Sequence, residues 1–152
     1  MKVLKFGGTS VGSAQRMKQV AALINDGSPK IVVLSAMSGT TNTLVEITDY
    51  LYKKNPEGAN DVINRLAAKY ERHVCELYAT DECRAETRRF LHGQFSYLSS
   101  FTKDVFTPSE EKVILAQGEL ISTNMMANYL KEQGVNVGLL PALEFMRTDK
   151  DG

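Results

Sequence analysis

The chain has no tryptophan, only two cysteines and four prolines in 152 residues, and its 18 basic and 18 acidic residues cancel. Each scarcity excludes something. Two thiols, Cys75 and Cys83, are too few for the disulfide framework of a small secreted fold, so a reducing cytoplasm is the simplest expected location. Without net charge there is no electrostatic footprint for nucleic acid or for an anionic membrane surface. No apolar run approaches the roughly 20 residues that span a bilayer, and Lys2 and Lys5 interrupt an amino-terminal stretch already too short for a secretory signal. Repeats, low-complexity segments and flexible linkers are missing as well. The expectation is a soluble chain whose length suits one compact domain, able to bury roughly 70% of its unfolded surface.

What is present starts with a short strand, Lys2 to Phe6, punctuated by Gly7 and Gly8. Ser13 can cap a helix to about Asp26, in which Met17, Val20, Ala21 and Ile24 repeat at helical spacing before Gly27. Lys30 then opens "KIVVLSA", whose unbroken aliphatic run suits a parallel strand covered on both faces. The hydroxyl-rich turn "SAMSGTTN" leads to a helix through Leu44 to Tyr52, which completes a βαβ rhythm and predicts an α/β fold with a mainly parallel sheet. Two amphipathic stretches follow. Val62, Leu66, Tyr70, Val74 and Leu77 mark one helix, and Leu91, Phe95, Leu98, Thr102 and Val105 mark a second, so the middle of the chain reads as a helical hairpin. Thr107, Pro108 and Glu110 form a capping box for a long helix running to about Gln133, where Gly134 stops it. "VNVGLL" is expected to be a further strand, and "EFMRTDKDG" a polar turn.

Three stretches carry candidate chemistry. In "KFGGTSVG" the bare amides at Gly7, Gly8 and Thr9 can converge on a phosphate, with Lys5 supplying charge that follows the phosphoryl oxygens. The lysine precedes the glycines, so this is neither a Walker loop nor G-x-G-x-x-G, and a tight turn beside an edge lysine is the alternative. The second stretch is the loop from Ser35 to Asn42. It leaves the carboxyl end of a predicted parallel strand, where open α/β sheets bind ligands, although Ser, Thr and Asn are also ordinary helix-capping residues. The third is "AQGELIST". Gly118 signals close approach of another group, and Glu119 has Leu115, Ala116, Ser122 and Thr123 as its helical neighbours, none of them basic. That carboxylate is therefore exposed to solvent or meets something from outside its helix. His73, Cys75 and Cys83 do not match the spacing of a structural metal site, and Met125 with Met126 suits core filling.

Taken together, "KFGGTSVG", "VVLSAMSGTTNTL", "QGELIST" and the later "MRTD" resemble the aspartokinases of the amino acid kinase superfamily, over essentially the whole chain. The run through Thr9, Ser10 and Val11 is more typical of aspartokinases than of other superfamily members. The resemblance implies a three-layer αβα sandwich with a helical hairpin insertion. It implies transfer of the γ-phosphoryl of ATP, with Mg2+, to the side-chain carboxylate of L-aspartate, on the route to lysine, threonine and methionine. Lys5 would be catalytic, Lys5, Phe6, Gly7, Gly8 and Thr9 would bind phosphate, and Ser35, Thr41 and Glu119 would bind aspartate, the last through the substrate's ammonium group. No Mg2+ ligand is identifiable. Aspartokinases are far longer, with a second glycine-rich segment and ACT domains. The expectation is therefore an amino-terminal, aspartate-binding portion of a truncated kinase domain, inactive by itself, from an enzyme that is a homo-oligomer at full length. The alternatives are another amino acid kinase, acting on glutamate or a related acid, and a stand-alone phosphate or amino-acid binding module.

Overall fold

The computed structural model describes residues 1–103 and 105–149. Two strands, β1 (Lys2–Phe6) and β2 (Lys30–Leu34), pair in parallel with Lys2 opposite Lys30 and Phe6 opposite Leu34. The helix α1 (Ala14–Ile24) links them, capped by the Ser13 hydroxyl accepting from the Arg16 amide, and it buries the expected face of Met17, Val20, Ala21 and Ile24. Because the two strands end level, the loops that leave them emerge side by side.

The helices are α2 (Thr40–Tyr52), α3 (Pro56–Leu77), α4 (Asp81–Ser100), α5 (Pro108–Leu115), α6 (Gln117–Glu132) and the single turn α7 (Ala142–Phe145). α3 and α4 are the expected hairpin, begun earlier than the apolar periodicity suggests because Asn55 and Thr80 cap them. The second arm also ends earlier: Thr102 lies in a 3-10 turn and Val105 is 84% exposed. The core joins α1, β2, α2, α3, α4 and α6, with Tyr70 and Tyr78 fully enclosed and the Tyr78 hydroxyl donating to the Met125 carbonyl at 2.8 Å. Glu132 ties the end of α6 to the α3–α4 turn by accepting from the amides of Ala79 and Thr80.

Four expectations change. The α/β class holds, but the described residues form a two-stranded sheet covered on one face: Leu4, Phe6, Val32 and Leu34 point to the core, while Val3, Ile31 and Val33 are 65%, 41% and 45% exposed. The unbroken aliphatic run of β2 fits cover on both faces, and among the described residues helices supply it on one. Second, the long helix divides at Ala116. The capping box is as expected, with Glu110 accepting from the Thr107 amide at 2.6 Å. Beyond it, α5 packs on α2, whereas α6 turns to pack on β2, α1, α2 and α4. Gln117 bridges the break by donating to the Val113 carbonyl. Third, residues 135–140 form no strand: the Val135 amide closes the end of α6 on the Leu130 carbonyl, and no described strand pairs with them in a ladder. Fourth, Glu144 and Phe145 belong to α7 rather than to a turn, and residues 150–152 of the final polar stretch lie outside the described residues.

Gly118, in the first turn of α6, shows why the chain keeps a poor helix former there. A Cβ at this position would sit 2.7 Å from Ala36 Cβ. Gly118→Ala is expected to destabilise the fold by roughly 1–2 kcal/mol, because overpacking against a side chain with no freedom to move outweighs the helix propensity gained. Urea unfolding checks this, and an unchanged midpoint would show that Ala36 yields.

Candidate functional site

The two strand-end loops are joined directly. The Ser35 amide donates to the Phe6 carbonyl at 3.0 Å, which carries the strand pairing one residue further, and the Ser38 hydroxyl donates to the Gly8 carbonyl at 3.1 Å. Glycine is required here for close approach of one loop to the other. A Cβ on Gly8 would lie 3.0 Å from the Ala36 carbonyl oxygen, and one on Gly12 would lie 2.5 Å from Ser38 Oγ. Thus "GGTSVG" serves contact between the loops as well as leaving amides bare. Among the described residues the amides of Gly8 and Thr9 have no acceptor, while the turn itself is closed by Ser10 donating to the Gly7 carbonyl.

Lys5 stands at the edge of this loop. Its ammonium lies 3.9 Å from the point a Gly7 Cβ would occupy, and it forms no ion pair among the described residues. A second cation, missed from the sequence, is Arg16 on α1, whose guanidinium donates to the Thr9 carbonyl at 2.6 Å. The loop is therefore flanked by two positive charges, with bare amides between them, a setting that favours an anion.

The start of α6 closes the opposite side. Ser122, completely buried, donates to the Ser35 carbonyl at 2.8 Å and holds the helix against the loop. Gly118 lies against Ala36, Thr40 and Leu44. Glu119, one residue on, is exposed and has no ion-pair partner among the described residues, so of the two possibilities open in the sequence its side chain takes the solvent-facing one. Its negative charge still reaches Tyr70, whose hydroxyl is pushed up to about 12, first by burial and in lesser part by Glu119. Ser35 is half-buried and Thr41 exposed in the first turn of α2, each with its hydroxyl free of described partners. Lys5, Phe6, Gly7, Gly8, Thr9, Ser35, Thr41 and Glu119 are thus distributed over three segments tied together by hydrogen bonds or glycine contacts. Ser122 was legible in principle, since it lies four residues beyond Gly118 and so on the same helix face. Arg16, like Lys69 and Tyr70 on α3, carried no sequence signal linking it to these loops.

No group of three His, Cys, Asp or Glu side chains that could hold a metal ion is gathered among the described residues. Cys75 lies beside Glu71 and Arg88, whereas Cys83 faces the Asn128 carbonyl with its thiol pushed up to about 11 by burial. No described helix is long and apolar enough to cross a membrane.

A parallel β-α-β unit whose strand-end loops meet belongs to the class of open α/β proteins that take ligands at the carboxyl ends of their strands. More narrowly, the chain belongs to the amino acid kinase family, whose model matches residues 1–151. Its relatives include Aspartokinase 1, chloroplastic, of Arabidopsis thaliana, 32% identical over 97% of this chain and 26% of that protein. Lysine-sensitive aspartokinase 3 of Escherichia coli is 30% identical over 97% of this chain and 32% of its own length. The crystal structure of E. coli aspartokinase III in complex with aspartate and ADP superposes with a TM-score of 0.70 at 27% identity, covering 88% of this chain and 29% of that one. The chain therefore spans less than a third of the length of these relatives.

Proposed function

We propose that this chain provides the phosphate loop and the acceptor-binding elements of an aspartate kinase. In that reaction a β-carboxylate oxygen of L-aspartate attacks the γ-phosphorus of ATP, the bond to the bridging oxygen breaks, and aspartyl phosphate and ADP leave. The observation that carries the proposal is the meeting of three segments, the 7–9 loop, the 35–39 loop and the first turn of α6, through the Ser38–Gly8 and Ser122–Ser35 bonds and the Gly118 contact. They bring together bare amides, a lysine and a carboxylate, the two side chains without an ion-pair partner among the described residues.

Lys5 would stabilise charge on the transferred phosphoryl group, while the amides from Phe6 to Thr9 would hold phosphate oxygens. Ser35 and Thr41 would hydrogen-bond aspartate, and Glu119 would meet its ammonium group, taking the place of the helical partner it lacks. A three-layer sandwich of the aspartokinase kind would also account for Val3, Ile31 and Val33, whose bare apolar face needs a covering layer. The product would feed lysine, threonine and methionine synthesis, in the cytoplasm.

A coupled assay of ADP release by the intact polypeptide containing these residues tests the proposal, with aspartate and glutamate as acceptors. Aspartate-dependent turnover within the common enzymatic range of about 1 to 10³ per second is expected. Turnover with glutamate alone would assign a different amino acid kinase. Aspartate binding without ADP release would leave a binding module.

A further inference from the structure

We infer that Lys69 and Tyr70, neighbours on α3, are positioning residues for the acceptor loop, holding the turn at residues 38–40 from both sides and, through Ser38, the phosphate loop at Gly8. The Lys69 ammonium donates to the Ser38 carbonyl at 2.7 Å, and the Tyr70 hydroxyl is hydrogen-bonded to the Thr40 hydroxyl at 2.8 Å. Between these two anchors lies Gly39, whose φ of 79° is the left-handed conformation that L side chains avoid. Glycine adopts this conformation readily but leaves it as readily, so the turn is held by its flanks, and both flanks are attached to one helix. Gly39 supplies no side-chain cap to α2, so Thr40 and Tyr70 hold that helix start.

The details separate positioning from simple packing. Tyr70 and Thr40 are completely buried, which strengthens the bond between their hydroxyls. The Tyr70 ring is already secured by edge and tilted contacts with His73 and Phe95, both at 5.9 Å, so the core would accept a phenyl ring there. Its hydroxyl, held neutral by burial across ordinary pH, has Thr40 as its partner. Lys69 likewise forms no ion pair among the described residues. Its charge is directed at a carbonyl of the loop. From Ser38 the constraint passes on, because the hydroxyl of the same residue donates to the Gly8 carbonyl. Of the residues proposed to touch aspartate, Thr41 directly follows the braced segment and Ser35 lies three residues before it.

The kinetic part of the inference rests on the aspartate kinase proposal, and the structural part does not. Tyr70→Phe, Lys69→Met and Lys69→Arg are made in the intact polypeptide. Hydrogen exchange is followed without ligand at the Thr40 and Thr43 amides, which donate to the Met37 and Gly39 carbonyls. For Tyr70→Phe and Lys69→Met, exchange there and KM for aspartate should each rise roughly 3- to 10-fold, the equivalent of one net hydrogen bond. The kcat should stay within about twofold. Lys69→Arg, which retains a donor, should restore both. Unchanged exchange in folded Tyr70→Phe and Lys69→Met would overturn the inference, as would a raised KM without faster exchange. Faster exchange in a protein that never turns over aspartate would uphold the brace and overturn the kinase proposal instead.

Discussion

On the proposed aspartate kinase activity, replacing Lys5 with methionine is expected to lower kcat at least ~100-fold while leaving KM for aspartate within about twofold, because a charge that would face the migrating phosphoryl group acts mainly in the transition state. The structure supports the specificity of this effect. Lys5 is exposed at the end of β1, forms no ion pair among the described residues and holds no other element in place. It alternates with Leu4 and Phe6 and so shares the exposed face of the sheet with Val3, where methionine is also accommodated, so stability should be unaffected. Steady-state kinetics with varied aspartate and ATP, alongside a thermal melt, decide the matter. An unchanged kcat would remove Lys5 from the chemistry, and a lost melting transition would assign it to the fold.

Glu119→Gln should fail in a different parameter. Its proposed partner, the substrate ammonium, is present in both ground and transition states, so its loss should raise KM for aspartate. A charge-assisted hydrogen bond of on the order of 2 kcal/mol corresponds to roughly 30-fold. The kcat should change little, since binding that is uniform along the reaction does not lower the chemical barrier. Because the carboxylate is exposed and has no described partner, glutamine should leave the unfolding midpoint where it is. Aspartate kinetics and urea unfolding on the same sample distinguish the outcomes. A constant KM with a lowered midpoint would mean that Glu119 serves the helix.

The two side chains behind these predictions stand out in the sequence for the same reason: each breaks a local rule. A lysine running into two glycines at a strand end, and a helical glutamate with no basic neighbour at three or four residues, are anomalies within one short window of sequence. The caps were legible on the same grounds. Ser13 before α1, and Thr107 with Pro108 and Glu110 before α5, satisfy helix amides within three residues, so nothing distant is needed to form them. The βαβ start and the helical hairpin followed from periodicity, which also depends on residues close in sequence.

Where distant residues decide, the sequence was silent or misleading. The apolar period continues through Ala116, yet α5 and α6 separate there because one packs on α2 and the other on β2 and α4. Residues 135–140 have strand-like composition, but a strand exists only through hydrogen bonds to a neighbour, and no described strand pairs with them. Gly8, Gly12 and Gly118 looked like turn and helix punctuation, and their close contacts with Ala36 and Ser38 exist only once β1 and β2 lie in parallel. Lys69 and Tyr70 are some thirty residues from the turn they hold. The sequence by itself determined where helices begin, which faces they bury and which side chains lack a local partner, because those depend on groups a few residues apart. Only the tertiary structure decided which loops meet, which glycines leave room for another chain segment and which helix holds the turn at residues 38–40, because hydrogen bonds and steric contacts act over a few ångströms in space whatever the separation along the chain.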